Sequence, residues 1–529
     1  MIETDPQTET DLREAVRLAT SYAAELFRAE NVNEFDKIPR ERFVARCHEG
    51  FDLAQKLILK NLLPLEQRLK ELRTEVQKRS KGKKKKETQS DEALQELRRE
   101  EKRVVGVSNA FRRVADTIAW QILSMNKVLM RSTHSGHHGH GYLSDTNITS
   151  AVEAIAQLSK PGEFYLINDL TLCLGSGAGD LLHVRADRSC GFVELKTGVE
   201  NIRIFDFLHG FEERADQQRA RIAEGTPPRS PEECPLHEFL GANIDLLTDK
   251  GKRKQIDRVV RQMDRMHAVL EYDRSNFGKD ISLTTKGKPV ERNRVAHVPE
   301  TKDEHAFAEI REVLTSASEQ PPHFAFLDYG PILTFLVTDN LKSQLFSARL
   351  SPFVRAMNAR HMIYHHIHEN LAECGYGKGA QQGYEEFNTY SRLFVLDWAT
   401  QVLGDGSLMP PFLMPFGRDL IFDVVFGRKS IFVYFDRTAF AKFVTEAAAG
   451  KFVLKPGGQV DHEWAGLQIR ITGRKGREGA SMMGWGLIFR MLIEFQDPET
   501  LRRQIVEMVQ GDEKLALSLE RSDAVKGDS

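Results

Sequence analysis

Apolar residues recur at three- and four-residue steps in the first part of the chain. One stripe is formed by Leu62, Leu65, Leu69, Leu72 and Val76, and a second by Val107, Phe111, Val114, Ile118 and Ile122. This period is typical of amphipathic helices that bury one face. The sequence between the stripes, KRSKGKKKKETQSD, is too charged to bury. The pattern therefore predicts a helical hairpin with a basic tip.

The tip of this hairpin carries four consecutive lysines, Lys83, Lys84, Lys85 and Lys86. Two interpretations stay open. The run is either a solvated loop between two packed helices, which is the usual role of such a charge run, or a contact for the phosphate backbone of nucleic acid.

The pattern changes after the second stripe. A helical segment from Ile148 to Leu158 precedes an apolar run, Phe164 to Leu174, that predicts a strand. A second apolar run opens with Gly179-Asp180, turns at residues 186–189 and returns as Gly191 to Lys196. This arrangement predicts a helix followed by three strands, the last two joined as a hairpin.

Three charged residues stand in this hairpin. Side chains alternate faces along a strand, so Glu194 and Lys196 share one face while Val193 and Leu195 share the other. A tight return would bring Asp180 across the sheet toward them. Charged groups on an apolar strand are costly to desolvate unless they bind something. A divalent cation with a phosphate beside it would suit this set.

The helix and three strands, with Asp180, Glu194 and Lys196, resemble the core of the PD-(D/E)xK nuclease superfamily, which has the restriction-endonuclease-like fold. The resemblance runs from Thr146 to about Met266, and Gly179 stands where the family usually has proline. It implies metal-dependent hydrolysis of phosphodiester bonds. Asp180 and Glu194 would hold Mg²⁺ (or Mn²⁺), and Lys196 would orient or activate the attacking water. Glu153, on the preceding helix, is a further candidate metal ligand.

A second helical pattern begins at about residue 249, where polar residues at three- and four-residue steps lie opposite an apolar face. In the resembled superfamily, the helix after the Glu-x-Lys strand often carries a polar residue that faces the active site. The candidates for nucleic-acid contact here are Gln255, Arg258 and Gln262. The alternative is an amphipathic helix with a solvated basic face. Phe324 to Leu327, or Ile332 to Val337, is expected to close the nuclease-like sheet.

The last part of the chain predicts its own α+β domain. Leu420 to Phe426 and Ile431 to Phe435 flank residues 427–430 and predict a strand hairpin. A helix (438–449), a strand (467–472) and a helix (499–510) follow. The predicted fold class is α+β, with a helical region at 1–141, a nuclease-like core with insertions at 142–346 and a C-terminal α+β domain at 347–529.

Composition and charge limit how the protein could bind nucleic acid and in which compartment it is expected. The chain has 529 residues and a formal net charge of −2, so affinity for nucleic acid has to come from local basic patches. Five scattered cysteines (Cys47, Cys173, Cys190, Cys234 and Cys374) without a C-x-x-C pair indicate a reducing compartment and argue against a disulfide framework. The acidic start does not fit a signal peptide, and no apolar stretch is long enough for a membrane span. A cytoplasmic protein without membrane contact is expected.

Two functions of different classes follow. The first is a metal-dependent nuclease, for which DNA rather than RNA is the expected substrate, of the kind found in bacterial restriction or phage defence. A protein partner or a homo-oligomer would control it, and the segment between Gly198 and Asp249 is expected to shield the site. The second is a non-catalytic nucleic-acid-binding or scaffold protein on a degenerate nuclease fold. Retention of Asp180, Glu194 and Lys196 favours the first.

Overall fold

Long helices and small antiparallel sheets alternate along the chain, so the computed structural model has an α+β architecture, as the sequence predicts at that level. It describes residues 5–32, 37–81, 91–125, 130, 145–174, 179–185, 189–193, 195, 199–223, 234–257, 260, 284–285, 288–289, 305–321, 323–339, 393–450, 452–456, 459–460, 463–464, 467–472, 478–483 and 485–511. Contacts divide the chain into two units. The first comprises Met1–Ser21, Lys60–Thr117 and Ala296–Ser529, and the second Tyr22–Leu59 and Ile118–Val295.

The predicted domain boundaries at 141/142 and 346/347 fall outside the described residues and stay predictions. The two units defined by contacts do not follow these boundaries, because each unit joins separate stretches of the chain.

Both apolar stripes of the N-terminal part lie on helices, as predicted. The helices are α1 (Pro6–Thr20), α2 (Tyr22–Ala29), α3 (Arg40–Ser80) and α4 (Glu92–Ile122). Leu69 and Leu72 of α3 pack against Val104 of α4. Ion pairs continue this contact, with Arg73 3.0 Å from Glu101 and Arg79 2.8 Å from Asp91. These contacts confirm the helical hairpin, while Lys83, Lys84, Lys85 and Lys86 of its tip lie outside the described residues.

The first unit contains a four-stranded antiparallel sheet in the order β6-β7-β9-β8. Its strands are β6 (Phe324–Tyr329), β7 (Leu333–Asp339), β8 (Leu393–Asp397) and β9 (Lys429–Asp436), with helices α9 (Phe307–Glu319), α10 (Trp398–Gly404), α11 (Arg418–Val425) and α12 (Arg437–Ala447) around it. All seven residues of β7 are buried. The ring of Phe495 lies 5.2 Å from the rings of Phe335 and Phe416 and 5.5 Å from that of Trp398, which forms an aromatic core.

The predicted strand hairpin around residues 427–430 is wrong in its first half. Residues Arg418–Val425 form α11, and only the second half is a strand, β9. The buried positions Ile421, Phe422, Val424 and Val425 recur at the spacing of a helix face. A short continuous apolar run fits either a strand or a helix, and here packing decides for the helix.

The expected closing strand of the nuclease-like sheet is also wrong. Phe324 to Leu327 and Ile332 to Val337 contribute to β6 and β7, which pair with each other and with β9 in the sheet of the first unit. The strand β1 (Phe164–Ile167) lies at one edge of the second unit's sheet, and a side chain engages its outer edge instead. The Gln55 amide donates to the Tyr165 carbonyl over 3.1 Å and accepts from the Ile167 N–H over 2.8 Å.

The C-terminal part of the first unit confirms three predicted elements. The helix expected at 438–449 is α12, the strand at 467–472 is β13 (Leu467–Thr472), and the helix at 499–510 is α14 (Pro498–Gly511). Strand β13 lies between β10 (Val453–Pro456) and β14 (Glu478–Met483). The hairpin β11 (Gln459–Val460) with β12 (Glu463–Trp464) and helix α13 (Trp485–Leu492) complete this part.

The second unit holds the order helix, strand, strand, strand. These elements are α5 (Asp145–Leu158), β1 (Phe164–Ile167), β2 (Leu181–Val184) and β3 (Cys190–Val193), and the strands form one antiparallel sheet with β2 in the middle. Helices α6 (Val199–Ala223), α7 (Pro235–Ala242) and α8 (Ile244–Thr248) follow, then helical residues 250–257 and the short pair β4 (Thr284–Thr285) and β5 (Lys288–Pro289). Strand β1 is shorter than predicted because the chain turns at Asn168–Leu170.

Candidate functional site

The predicted hairpin of the site is antiparallel, with Leu181 paired to Val193 and Leu182 to Phe192. In the chain, Leu181 directly follows Asp180 and Val193 directly precedes Glu194. The Asp180 N–H donates to the Val193 carbonyl over 2.9 Å, which extends the ladder by one bond. The ladder therefore brings the backbone of Asp180 to the end of β3.

The Asp180 carboxylate is half-buried and accepts a hydrogen bond from the backbone of the next strand. Its Oδ2 lies 2.6 Å from the N–H of Leu195, the residue between Glu194 and Lys196 in the sequence. Glu194 and Lys196 themselves lie outside the described residues. The contact places one carboxylate of the predicted triad against the backbone of the Glu-x-Lys segment.

A buried asparagine fixes the position of Asp180. Asn168 is 1% exposed, and its side-chain amide donates to the Gly179 carbonyl over 2.8 Å. The Asn168 backbone N–H donates to the Asp180 carbonyl over 2.9 Å. Thr171, also buried, donates its hydroxyl to the Asn168 carbonyl over 2.8 Å. The end of β1 is thus held to the start of β2 by polar contacts.

Gly179 directly precedes Asp180 and has a backbone conformation that excludes proline. Gly179 has φ +88°, which proline, with φ fixed near −65°, does not adopt. A Cβ at this position would also lie 3.1 Å from the Val193 carbonyl oxygen. Both the dihedral angle and the close approach of β3 therefore require glycine at this position, and a proline does not fit this backbone.

Aromatic and charged side chains stabilise the same sheet two residue pairs beyond Ile167 and Leu181. Tyr165 and His183 are cross-strand partners whose rings stack at 4.2 Å. The Glu163 carboxylate lies 3.1 Å from His183 Nε2 and accepts a 3.3 Å hydrogen bond from the Tyr165 hydroxyl. Burial, followed by the negative charge of Glu163, raises the pKa of Tyr165 above its ordinary value. This phenol stays neutral at physiological pH and serves as a hydrogen-bond donor.

Glu153, the further candidate ligand, is exposed on α5, whose buried positions are Ile148 and Ala151. Within the described residues it makes no hydrogen bond or ion pair. Nor does the described part of the chain contain a group of three or more metal-ligating side chains. Glu153 remains a sequence-based candidate without a structural contact to Asp180.

The segment after β3 forms a small helical cluster. Ile204 and Phe207 of α6 pack with Leu246 of α8, and Ile256 packs on the same cluster. Gln255 is half-buried, on the same side of helix 250–257 as Ile256. Arg258 and Gln262, the other two residues predicted to contact nucleic acid from this helix, lie outside the described residues.

Asp245 ties this cluster together through two cations. Arg203 donates to both of its carboxylate oxygens, over 2.8 and 2.6 Å, and Lys252 donates to Oδ2 over 2.8 Å. The Arg203 guanidinium, followed by the Lys252 ammonium, holds the pKa of Asp245 well below its usual range. Lys252 is thereby fixed to α8, and so is the helix that carries it.

The sequence pattern does not reveal Asn168 as a positioning residue, because the apolar run from Phe164 to Leu174 predicts a single strand. The signal was present in the Asn168-Asp169 pair, since both residues are depleted in strands and favoured in turns. The role of Asn168 in holding Gly179 and Asp180 depends on a contact over eleven residues, which periodicity does not reveal.

None of the described helices is both long and apolar enough to cross a bilayer. In comparisons with known proteins, no family model, no curated protein and no solved structure matches the chain.

Proposed function

We propose that this chain is a metal-dependent nuclease that hydrolyses phosphodiester bonds of nucleic acid, with DNA rather than RNA as its substrate. The observation that carries the proposal is the hydrogen bond between the Asp180 carboxylate and the Leu195 N–H. It brings one acid of the triad against the backbone between the other two members, Glu194 and Lys196, on a helix and three strands in the order that the PD-(D/E)xK superfamily has.

The donor set fits a hard divalent cation, because the carboxylates of Asp180 and Glu194 offer the oxygen ligands that Mg²⁺ and Mn²⁺ prefer. Such an ion, when bound, neutralises the scissile phosphate and lowers the pKa of a water. Two hydrogen bonds hold Asp180 in place, one from the Asn168 amide to the Gly179 carbonyl and one from the Leu195 N–H to the Asp180 carboxylate. Asp180 therefore loses little conformational freedom when it binds a metal ion. Lys196 orients the water and stabilises the negative charge that develops on the phosphate.

In the cell, we place this activity in the cytoplasm, in bacterial restriction or phage defence, under the control of a protein partner or a homo-oligomer. A nuclease that acts on any DNA has to be restrained. The helical cluster of α6, α7 and α8 occupies the segment that directly follows the site in sequence. This segment is the proposed point of control.

A second candidate is a non-catalytic nucleic-acid-binding or scaffold protein on the same core. One observation favours it, because Asp180 Oδ2 already accepts a backbone N–H, which is the role of a structural carboxylate. The two candidates differ in what they require of Asp180. A scaffold needs only a hydrogen-bond acceptor there, whereas a metal site needs the negative charge.

The test compares Asp180→Asn with Asp180→Ala on plasmid, linear DNA and RNA, with Mg²⁺ or with EDTA. Asparagine keeps a side-chain oxygen for the Leu195 N–H but loses the charge. We expect wild-type protein to cut DNA only with the metal, and Asp180→Asn to fold normally while cutting at least about 100-fold more slowly, because loss of a metal-ligating charge removes transition-state stabilisation. Glu194→Gln and Lys196→Ala are expected to lose cleavage in the same way.

Matched substitutions control for charge alone. Asp206→Asn and Glu212→Gln remove exposed carboxylates of α6, and Lys160→Ala removes an exposed lysine; all three are expected to cut at the wild-type rate. A fully active Asp180→Asn protein combined with an unstable Asp180→Ala protein would assign Asp180 a structural role only. Wild-type protein that cuts none of the substrates, and that still cuts none after deletion of the shielding segment 198–249, would favour the scaffold.

A further inference from the structure

Helix 250–257 presents a cationic face to solvent. Lys250, Arg253 and Lys254 lie at positions i, i+3 and i+4, which share one side of a helix, and all three are exposed. Within the described residues, none of their side chains makes an ion pair or a hydrogen bond. Three neighbouring cations repel one another, so this excess of positive charge favours an anionic partner.

The opposite side of the helix is fixed to the second unit. Ile256 packs on the cluster of Ile204, Phe207 and Leu246, and the Lys252 ammonium donates to Asp245. Asp249 caps the helix, accepting from the N–H groups of Gly251 and Lys252 over 2.8 and 2.9 Å. The cationic face is therefore held on an anchored helix, so that binding orders only the long side chains.

The acidic groups around this face are largely occupied. Asp245 is held by Arg203 and Lys252, and Asp249 by the two backbone N–H groups that it caps. Asp257 is the one exposed acid on the described turns of this helix beyond Asp249. Lys250, Arg253 and Lys254 still outnumber the carboxylates of Asp249 and Asp257, so the described part of this face is positive.

We propose that Lys250, Arg253 and Lys254 form a contact surface for the sugar-phosphate backbone of the nucleic-acid substrate. This inference rests on the proposed function and names three contact residues beyond Gln255, Arg258 and Gln262. The three side chains span about 6 Å along the helix axis, at about 1.5 Å per residue, which covers about two phosphates of one strand at about 3.4 Å each. Contacts of this kind position the substrate without reading its sequence.

Nucleic acid fits this face better than a membrane surface does. A helix that lies in a bilayer interface places large apolar side chains beside its basic residues. Here the exposed positions 250, 251, 253, 254 and 257 carry three cations, a glycine and an aspartate, and the apolar Ile256 is packed on the cluster behind them. Positions 250–257 expose charge and no apolar side chain, and the exposed Val260 beyond them is a single small apolar group, where an interfacial helix carries several large ones.

The test is equilibrium binding of full-length protein in EDTA, so that cleavage does not interfere. Fluorescence anisotropy with duplex DNA, single-stranded DNA and RNA is followed over a salt series, for wild type and for Lys250→Gln/Arg253→Gln/Lys254→Gln. We expect the triple variant to bind at least about tenfold more weakly at low salt. The slope of log affinity against log salt should become shallower by about 2, which is about 1 for each of the two phosphates that the face covers.

The control variant is Arg311→Gln/Lys442→Gln/Lys455→Gln, which changes net charge equally at three exposed cations on other elements. It is expected to keep most of the wild-type slope. A triple variant whose slope equals that of this control overturns the proposal. So does wild-type protein that binds none of the nucleic acids, or that binds vesicles of anionic lipid through these residues instead.

The two proposals fail separately. A protein that never cuts, even after deletion of the shielding segment 198–249, but whose wild-type form binds nucleic acid through these three cations, contradicts the nuclease and supports the surface. A wild-type protein that cuts DNA, with a triple variant that binds and cuts normally, supports the nuclease and contradicts the surface.

Discussion

The four-stranded sheet of the first unit and the three-stranded sheet of the second unit are held together by different interactions. In the first unit, β7 is buried along its whole length and pairs with β6 on one side and β9 on the other. In the second unit, strands β1, β2 and β3 are four residues each. Hydrogen bonds between polar groups fix the end of β1 and the start of β2. Asn168, Gly179 and Asp180 meet where β1 ends and β2 begins.

This difference indicates that the sheet of the first unit serves stability, whereas the smaller sheet is suited to hold functional side chains. An aromatic core tolerates little change of volume, because burial and close packing hold it together. A strand end held by hydrogen bonds keeps charged and polar groups in fixed positions with partial access to water. Side chains that bind and react are found in such places more often than in the middle of a packed sheet. The comparison therefore locates the candidate site in the smaller sheet.

The largest expected effect is on the aromatic core of the first unit. Phe495 is 1% exposed and lies between the rings of Phe335, Phe416 and Trp398. Phe495→Ala should lower the free energy of unfolding by about 3–5 kcal/mol, because it leaves a cavity in a close-packed core. Urea unfolding followed by circular dichroism measures this.

Phe211→Ala is the matched control, since Phe211 is 39% exposed on α6 of the second unit. It should cost less than about 1 kcal/mol. Equal costs for the two substitutions would mean that Phe495 does not hold a core, and the contrast between the two sheets would lose its main support.

The next effect concerns the polar contacts of the smaller sheet. Asn168→Ala removes the donor to the Gly179 carbonyl, and a buried group left unsatisfied costs about 1–3 kcal/mol. Because Asp180 follows Gly179, we also expect cleavage to fall, and to fall further than the stability loss alone explains. Urea unfolding and the cleavage rate at saturating Mg²⁺ measure the two effects in the same preparation.

Asn243→Ala tests whether the effect belongs to the site. The Asn243 amide also donates to a backbone carbonyl, that of Phe239, over 3.0 Å at a half-buried position. It should cost less stability and leave cleavage unchanged. If Asn168→Ala cut at the wild-type rate, Asn168 would stabilise the sheet without positioning Asp180.

Sequence pattern predicted the long elements well and the junctions poorly. The stripes around Leu69 and Phe111 extend over several turns, so their helical period is unambiguous, and both residues are buried on α3 and α4. The run Leu420 to Phe426 is short and apolar throughout, so period alone did not separate a helix from a strand. Its helical form, α11, depends on what it packs against.

The candidate site shows the same limit. Alternation along the hairpin is enough to predict the pairing of the strands next to Asp180 and Glu194 in the sequence, and the pairing of Leu181 with Val193 agrees with it. It was not enough to find Asn168 or the φ of +88° at Gly179. Both follow from contacts between separate strands, since the amide of Asn168 reaches the Gly179 carbonyl and β3 approaches the glycine within van der Waals distance.

The smallest expected effect is a pH dependence of the second unit. His48 of α3 is 9% exposed, lies 5.7 Å from the Phe164 ring of β1 and bonds to the Gly162 backbone. Its Nδ1 has no hydrogen-bond partner among the described residues. Burial lowers the pKa of His48 below its ordinary value, against a smaller opposing effect of the Gly162 bond. Carboxylates of Glu49, Asp52 and Glu163 line the cavity beside it, which measures about 310 Å³.

The sign of the effect follows from proton binding. Because the folded protein holds His48 neutral at a pH where the unfolded chain is already protonated, unfolding takes up a proton and stability falls as pH drops from about 7 to about 5. His48→Gln should flatten this decline, whereas His237→Gln, at an exposed position of α7, should not. Urea midpoints at several pH values give the comparison. Equal pH slopes for wild type and His48→Gln would show that His48 is not the buried group that titrates, and that the contact of α3 with β1 tolerates a charge.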